Sequence, residues 1–494
     1  MFFSVYTLGC KLNQLETEAI TDAFRRMGFV LISGSSAKTP SVPYLGLIVV
    51  NTCTVTSMSE QKARRLIRRL LKDYPGACLI ITGCYAQLDA DEIQTLETPD
   101  AESGCTGALG EKRLFVLGGG EGGGAGTAKS ALLRLPGYLR EAMADGSLLS
   151  QILESWVHSE GDVSPFSFRP GKFTFHSRGY LKIQDGCDSA CAYCRVRFAR
   201  GPSVSLPREA ALRELLSFEA SGCAELTITG VNISQYRHSG CDLAGLLEYL
   251  LEGSSRIALR LSSLEPEGID ERLASVLSHP RIRPHFHLSV QSGSSPVLQK
   301  MGRAYDPQKV VEGAALLRSA KDNPFLACDI IAGFPSETEA EFARTVELCE
   351  KIRFAWIHAF PFSKRPGTAA FSFEGKVCER DVTQRVAALG SLALRGRRDY
   401  AQAWLGKELS AVVEKGKTAQ GQCRAVSGNY LRLLVSYIDE APPPGSSVRC
   451  IPVSLCEGAD GETPDAAAIM HPNTYSRPLP EIAHGHFPEG QVRD

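Results

Sequence analysis

Between residues 180 and 360 a short apolar run returns six times, and few folds can absorb that rhythm. The runs fall at 180–184, 225–229, 257–261, 285–290, 326–331 and 356–360. Helical patterns lie between them at 207–220, 243–251, 308–319 and 338–352. Connections of this length make neighbouring strands parallel and the crossovers right-handed. A parallel sheet buries both faces, and a barrel or partial barrel does this. The stretch is therefore expected to form a partial barrel of six β/α units.

The flanks read differently. Up to about Leu117, runs at 3–8, 45–51 and 78–82 alternate with helical stretches at 16–27 and 59–72, the pattern of a small open α/β domain. A Gly-rich run, 118–124, opens a segment expected to be a linker with some helix. Beyond about Leu405, short runs at 409–414, 422–426, 430–435 and 447–453 are separated by turn signals such as Ser427-Gly428-Asn429 and Pro442-Pro443-Pro444-Gly445. These suggest a small OB-like β-barrel. The expected boundaries are 1–117, 118–172, 173–402 and 403–460, with 461–494 a disordered tail. Three domains suit 494 residues at roughly 150 residues each.

Hydrophobic residues at 43% and charged residues at 22% fit a globular protein. A net charge of -1 announces no global field for nucleic acid, though local patches remain open. Sixteen cysteines raise a disulfide question. Disulfide frameworks belong to small secreted chains, and MFFSVYTLGC carries no basic region or long apolar run of a signal peptide. No apolar stretch reaches the roughly 18 residues of a membrane span. A cytoplasmic protein with reduced thiols is expected, each cysteine a buried hydrophobe or a metal ligand.

One cysteine motif is sharp: Cys187-x3-Cys191-x2-Cys194, just after the first barrel run, where βα-loops build active sites. Structural zinc needs a fourth ligand, and ferredoxin spacing needs a fourth cysteine. The competing reading is three coincidental buried thiols. A second triplet is dispersed: Cys10, Cys53 and Cys84 each follow a predicted strand. In an open parallel sheet the carboxyl ends of strands share an edge, so these three can converge there; singly, each is more often core.

The stretches 7–20 (TLGCKLNQLETEAI), 49–70 (VVNTCTVTSMSEQKARRLIRRL), 81–87 (ITGCYAQ) and 181–201 (LKIQDGCDSACAYCRVRFARG) resemble those of the methylthiotransferases, which are radical S-adenosylmethionine enzymes. Blocks 261–269, 287–303, 329–342 and 360–370 fit as well. The resemblance covers about residues 1–460 and is poorest in the Gly-rich linker. It implies two 4Fe-4S clusters, an auxiliary one on Cys10, Cys53 and Cys84 and a catalytic one on Cys187, Cys191 and Cys194. Tyr193 would lie beside the bound S-adenosylmethionine. The C-terminal barrel resembles the family's tRNA-binding TRAM domain, so tRNA is an implied partner, with an electron donor such as flavodoxin or ferredoxin. In such a family one S-adenosylmethionine methylates a cluster-borne sulfur. A second is cleaved to a radical that takes hydrogen from an unactivated C–H, where the methylthio group is inserted. No side-chain base is strong enough for such a C–H, so a cofactor must carry the step.

Three family substrates compete: N6-threonylcarbamoyladenosine or N6-isopentenyladenosine in tRNA, and a ribosomal-protein aspartate. Residues 8–18 and 51–56 look most like the threonylcarbamoyladenosine group, modified at C2. From another class, the alternative is a non-catalytic tRNA-binding protein with relic motifs, against which the intact Cys187, Cys191 and Cys194 speak. Arg195-Val196-Arg197-Phe198 departs from the family's mostly apolar, proline-bearing stretch, so contacts there are expected to differ.

On a helix from Ser59, residues Arg64, Arg65, Arg68, Arg69 and Lys72 share an arc opposite Leu66, Ile67, Leu70 and Leu71. This stripe can hold phosphates, or be only a solvated face. Lys182, Arg195, Arg197 and Arg200 are further RNA candidates, or cofactor-carboxylate holders. Residues 123–130 nearly match a P-loop, but Ala128 stands where glycine is needed before Lys129. His285 and His287 alternate on one strand and are expected as satisfied core or pocket histidines. Ten cysteines, namely 78, 105, 223, 241, 328, 349, 378, 423, 450 and 456, show no ligand spacing.

Overall fold

The computed structural model describes residues 1–32, 45–97, 112–118, 129–157, 164–418, 420–437, 440–456 and 464–470. Most of the Gly-rich run, Cys105 and the last residues, 471–494, lie outside these.

The first domain comprises β1 (Phe2–Thr7), α1 (Lys11–Arg26), β2 (Val30–Leu31), β3 (Leu45–Thr52), α2 (Ser57–Asp73), β4 (Cys78–Gly83), α3 (Cys84–Leu88) and β5 (Leu114–Val116). Its parallel sheet has the order β2-β1-β3-β4-β5. Central strands β3 and β4 are almost wholly buried, which is why they read as continuous apolar runs. Helix α1 starts at Lys11 rather than near residue 16, because Leu12 and Leu15 already extend the stripe of Ala19, Ile20 and Phe24. Polar neighbours hid that first turn from the apolar pattern. The segment expected as a linker contributes helices Leu135–Ala142 and Leu149–Val157. Their Leu135, Leu139, Leu153 and Trp156 pack on Phe3 and Leu47, completing the first domain's core.

All six apolar runs of the central region form strands. They are β6 (Gly179–Lys182), β7 (Glu225–Thr229), β8 (Ala258–Leu261) continued as β9 (Ser263–Leu264), β10 (His285–Gln291), β11 (Phe325–Ala332) and β12 (Trp356–Pro361). Short helix α4 (Val196–Arg200) follows the cysteine loop, and the long helix α5 (Glu379–Gln402) covers β12. The third strand changes partner midway: β8 pairs β7 and β9 pairs β10, all parallel. The result is a curved sheet ordered β6-β7-β8/β9-β10-β11-β12, whose end strands β6 and β12 do not meet. That is a partial (β/α)6 barrel with an open side.

Strands β13 (Leu409–Lys417), β14 (Cys423–Ser427), β15 (Arg432–Ser436), β16 (Ser447–Leu455) and β17 (Ala466–Met470) close a small barrel in the order β13-β14-β15-β17-β16. Here the expected boundary at residue 460 is corrected. Strand β17 closes the barrel against β15 and β16, with Ala466 and Ala468 fully buried. An Ala-rich stretch carries little pattern, yet small side chains are what a narrow barrel interior accepts. The barrel docks on the central domain through a shared apolar core, Phe325, Ala327 and Tyr400 packing with Leu409, Val413 and Val435, and through polar contacts: Arg178 meets Glu414 at 2.9 Å and Arg260 donates to the Ser427 carbonyl at 3.1 Å. No helix among the described residues is long and apolar enough to cross a membrane.

Candidate functional site

Three neighbouring strands deliver the dispersed cysteines to one edge. Cys10 caps the start of α1 after β1, Cys53 follows β3, and Cys84 opens α3 after β4. Asn13 ties two of these loops, its Nδ2 donating to the carbonyls of Leu8 and Thr52, both at 2.9 Å. Gly83, at φ +102°, admits the close approach: a Cβ there would stand 2.3 Å from the Thr52 carbonyl oxygen. Burial, with Cys10 and Cys84 beside it, pushes the Cys53 thiol up to about 12. Mutual repulsion of this kind is expected where three thiols face one space.

The second triplet lies on a single loop beyond β6. Gly186, at φ +70°, lets this loop press on the chain after α4, since a Cβ there would overlap the Pro202 carbonyl at 1.8 Å. The Cys187 amide donates to the Gly201 carbonyl at 3.1 Å. Burial pushes the Cys194 thiol up to about 11, opposed by backbone N–H groups of Val196 and Arg197 and reinforced by Cys191 and Cys187. Arg303 Nη1 donates to Cys191 Sγ at 3.2 Å, and Nε of the same side chain donates to Tyr305 Oη at 3.2 Å. Glu265 pairs with Arg303 from the other side. Tyr193 packs half-buried against the barrel core, and burial raises its phenol.

Buried charges join the two triplets. Arg200, on α4, donates from Nε to Cys84 Sγ at 3.3 Å, from Nη2 to Asn13 Oδ1 at 2.9 Å and from Nη1 to Glu16 Oε1 at 2.8 Å. Asp185, two residues before Cys187, accepts from the same Nη1 at 3.2 Å. Lys129 and Lys182 also converge on Glu16. Burial alone would raise the Glu16 carboxyl, but Arg200, Lys129 and Lys182 hold it far below its ordinary value. Three cations face two carboxylates in this cluster, which leaves one positive charge beside the Cys84 sulfur. A second set of contacts links Arg195 to Asp89 at 2.9 Å and to Glu60 at 3.3 Å. Arg365 also reaches Glu60, and donates to Thr54 Oγ1 at 2.8 Å.

These contacts correct one expectation. Lys182, Arg195 and Arg200 are buried in ion pairs between domains and face no RNA, because neutralising Glu16, Asp185, Glu60 and Asp89 requires them. Arg197 is half-buried over the Phe198 ring. Lys129, the lysine of the near-P-loop, is fully buried on Glu16; residues 123–128 lie outside the described ones. On α2, Arg64 is drawn inward to Tyr85 Oη at 2.8 Å and Glu92 at 3.0 Å. Arg65, Arg68, Arg69 and Lys72 stand exposed, with no ion pair among the described residues.

Inside the open barrel, His287 and Asp329 occupy neighbouring strands, Nε2 3.1 Å from Oδ1. Its other nitrogen, Nδ1, lies 3.1 Å from Ser263 Oγ. His287, paired with Asp329 and Ser263, sits as a pocket histidine, whereas His285 Nδ1 is buried without a hydrogen bond. His285 stacks on Tyr430 of the small barrel, ring centroids 4.0 Å apart. Burial works to raise the Asp329 carboxyl, yet His287, His358 and Lys11 hold it below its usual range.

Both triplets suit a soft, anionic centre, since each has N–H donors directed at its sulfurs and a guanidinium alongside. No three His, Cys, Asp or Glu side chains among the described residues close around a single ion. A multi-iron centre holds each thiolate on a different iron and spreads them more widely. None of the fifteen described cysteines is in a disulfide. Cys328 and Cys349 lie side by side in the core, and Cys78, Cys423 and Cys450 are buried bystanders. Motif reading missed the roles of Arg200, Arg303, Arg365, Glu16 and Asp185. Arg303 and Arg365 stand in the quoted blocks, but nothing in their spacing shows which sulfur or carboxylate they meet.

Comparison with known proteins bears on this arrangement. Residues 181–349 match the radical SAM superfamily, and residues 3–102 match an uncharacterized protein family, UPF0004. The chain is 41% identical over 497 aligned positions to the threonylcarbamoyladenosine tRNA methylthiotransferase MtaB of Treponema pallidum, covering 90% of this chain and 97% of that protein. Its Thermotoga maritima counterpart is 33% identical, over 83% of this chain and 86% of that one. A tRNA-2-methylthio-N(6)-dimethylallyladenosine synthase of Desulfosudis oleivorans is 30% identical, over 85% and 84%.

Proposed function

We propose a complete reaction for this chain from the premise that it belongs to the threonylcarbamoyladenosine tRNA methylthiotransferase family of radical SAM enzymes. It inserts a methylthio group at C2 of N6-threonylcarbamoyladenosine in tRNA. The observation that carries this reading is the meeting of two cysteine triplets across one buried junction, with Arg200 touching Cys84 from the domain that bears Cys187. A single-cluster enzyme has no use for the second triplet.

Cys187, Cys191 and Cys194 would hold one 4Fe-4S cluster and Cys10, Cys53 and Cys84 a second. When bound, the clusters would supply the electron that cleaves the sulfonium and the sulfur that is inserted, and S-adenosylmethionine would supply the methyl group. The protein's own residues bind and orient. Arg303 donates to Cys191 and is fixed by Glu265 and Tyr305, so its charge stays beside the open loop. Arg200 holds the loop of Cys84 against the strand that ends before Cys187, and so sets the distance between the triplets. Buried Arg195 and Arg365 close the junction on the Cys53 side and keep water from it. Outside, Arg65, Arg68, Arg69 and Lys72 offer a cationic stripe for the tRNA backbone. An external electron donor completes the set of partners.

Mass spectrometry of tRNA nucleosides from cells lacking the protein tests the assignment. Loss of methylthio-threonylcarbamoyladenosine is the expected result. An unchanged nucleoside profile refutes a tRNA substrate. Loss of the methylthio-isopentenyl nucleoside instead moves the chain to the other adenosine.

A further inference from the structure

We propose that Trp356, His358 and Phe360 form a stacking surface for unpaired bases of the RNA loop that carries the target adenosine, an assignment resting on the tRNA reading above. The three rings alternate along β12 and therefore share one face of it. Trp356 and His358 have ring centroids 5.8 Å apart and meet edge to face at 80°, with Trp356 Nε1 donating to His358 Nδ1 at 3.2 Å. His358 and Phe360 lie 6.4 Å apart with only 16° between their planes. The opposite face of the strand is committed, with Ile357 buried in the core beneath α5.

Position makes the row available. β12 is an end strand of the curved sheet and borders its open side. His358 is exposed and Phe360 keeps 37% of its surface in water, while Trp356 is half-buried with the Arg397 guanidinium 4.9 Å over its ring, leaving the His358 side of the row open. Exposed His358 and Phe360 can accept a flat partner, and every nucleobase presents one. From Trp356 to Phe360 the strand runs about 13 Å, longer than one purine needs, which favours several loop bases over one free nucleoside.

The neighbouring polar groups suit an RNA loop as well. His287, whose ring lies 5.3 Å from that of His358, is held by Asp329 at 3.1 Å and sets a polar group beside the row.

Tryptophan fluorescence of the full-length, reconstituted protein provides the test. The chain has three tryptophans, and Trp356 alone is in the row. The probe is a synthetic anticodon stem-loop RNA containing N6-threonylcarbamoyladenosine, with a labelled copy reporting affinity by anisotropy. RNA is expected to quench the wild type, whereas Trp356→Phe binds almost as well and loses most of the quenching. Phe360→Ala should weaken binding about tenfold and leave its salt dependence unchanged. His358→Ala, at an exposed position, gives a second variant with the same expectation should Phe360→Ala lower the melting temperature. Equal quenching of Trp356→Phe and wild type overturns the proposal. So does wild-type affinity in both alanine variants. Equivalent quenching by S-adenosylmethionine alone would give the row to a nucleoside and also overturn it. Tight binding without quenching removes the stacking row and leaves the substrate reading intact; absence of any RNA binding removes both.

Discussion

The two cysteine triplets reach similar surroundings by opposite routes. Cys187, Cys191 and Cys194 lie within one loop, so chain connectivity alone keeps them close. Cys10, Cys53 and Cys84 come together only when β1, β3 and β4 pair side by side. The first set depends on a loop and the second on a whole sheet. Damage to each should therefore look different, and variants can separate them.

The largest contrast is expected from the proposed ligands. Cys191→Ala should abolish S-adenosylmethionine cleavage, whereas Cys53→Ala should retain cleavage and lose sulfur insertion, read as deoxyadenosine formed against methylthio nucleoside formed. Equal cleavage by Cys191→Ala and wild type would overturn the division of labour. In iron analysis each variant should keep about half the metal, because four-iron centres fill independently.

Arg200→Met comes next, since it touches both sets. Removing one partner of a buried charge cluster typically costs about 3–5 kcal/mol, and here Glu16 and Asp185 would remain buried with less compensation. A chemical denaturation curve measures it. A loss near zero would show that the junction is not what holds the two domains.

Gly83→Ala should act on the dispersed set alone. A left-handed backbone and a Cβ so near the Thr52 carbonyl predict strain of about 1–3 kcal/mol and loss of iron from that site, with cleavage of S-adenosylmethionine kept. Gly186→Ala should reverse the pattern. If both variants lose both activities, the triplets are not separable in this way.

The smallest effect on either triplet is expected from reversing Arg65, Arg68, Arg69 and Lys72 to glutamate. Iron content and cleavage should match wild type. The salt dependence of tRNA binding should flatten, its slope falling by up to about 0.9 for each phosphate that no longer meets a cation. An unchanged slope would return the stripe to an ordinary solvated face.

The same contrast explains what could be read from the residues alone. Six runs of apolar residues announced six strands, because a parallel sheet buried on both faces leaves a continuous signal. The local cysteine loop was legible for the same reason: its spacing lies in the chain itself. The convergence of Cys10, Cys53 and Cys84 required an argument about strand ends. Lys182 and Arg200 stood out only as RNA or cofactor-carboxylate candidates, and their partners escaped. Glu16, Asp185 and Arg200 are ordinary polar letters in the sequence, and only the packing of α1 against α4 and β6 gives them partners. Strand β17 escaped because Ala466, Ala467 and Ala468 offer no alternation of polarity to detect.

The charge cluster at the junction also says something about motion. Swinging the two domains apart would expose Glu16, Asp185, Lys129, Lys182 and Arg200 from a region where four of them are almost fully desolvated and the fifth nearly so. Such a hinge has no low-energy route, so the spacing between the sulfur-bearing sites is set when the protein folds and not at each turnover. Any obligatory order in which S-adenosylmethionine and RNA arrive must then come from their crowding one another at the barrel's open side, and not from a clamp that shuts.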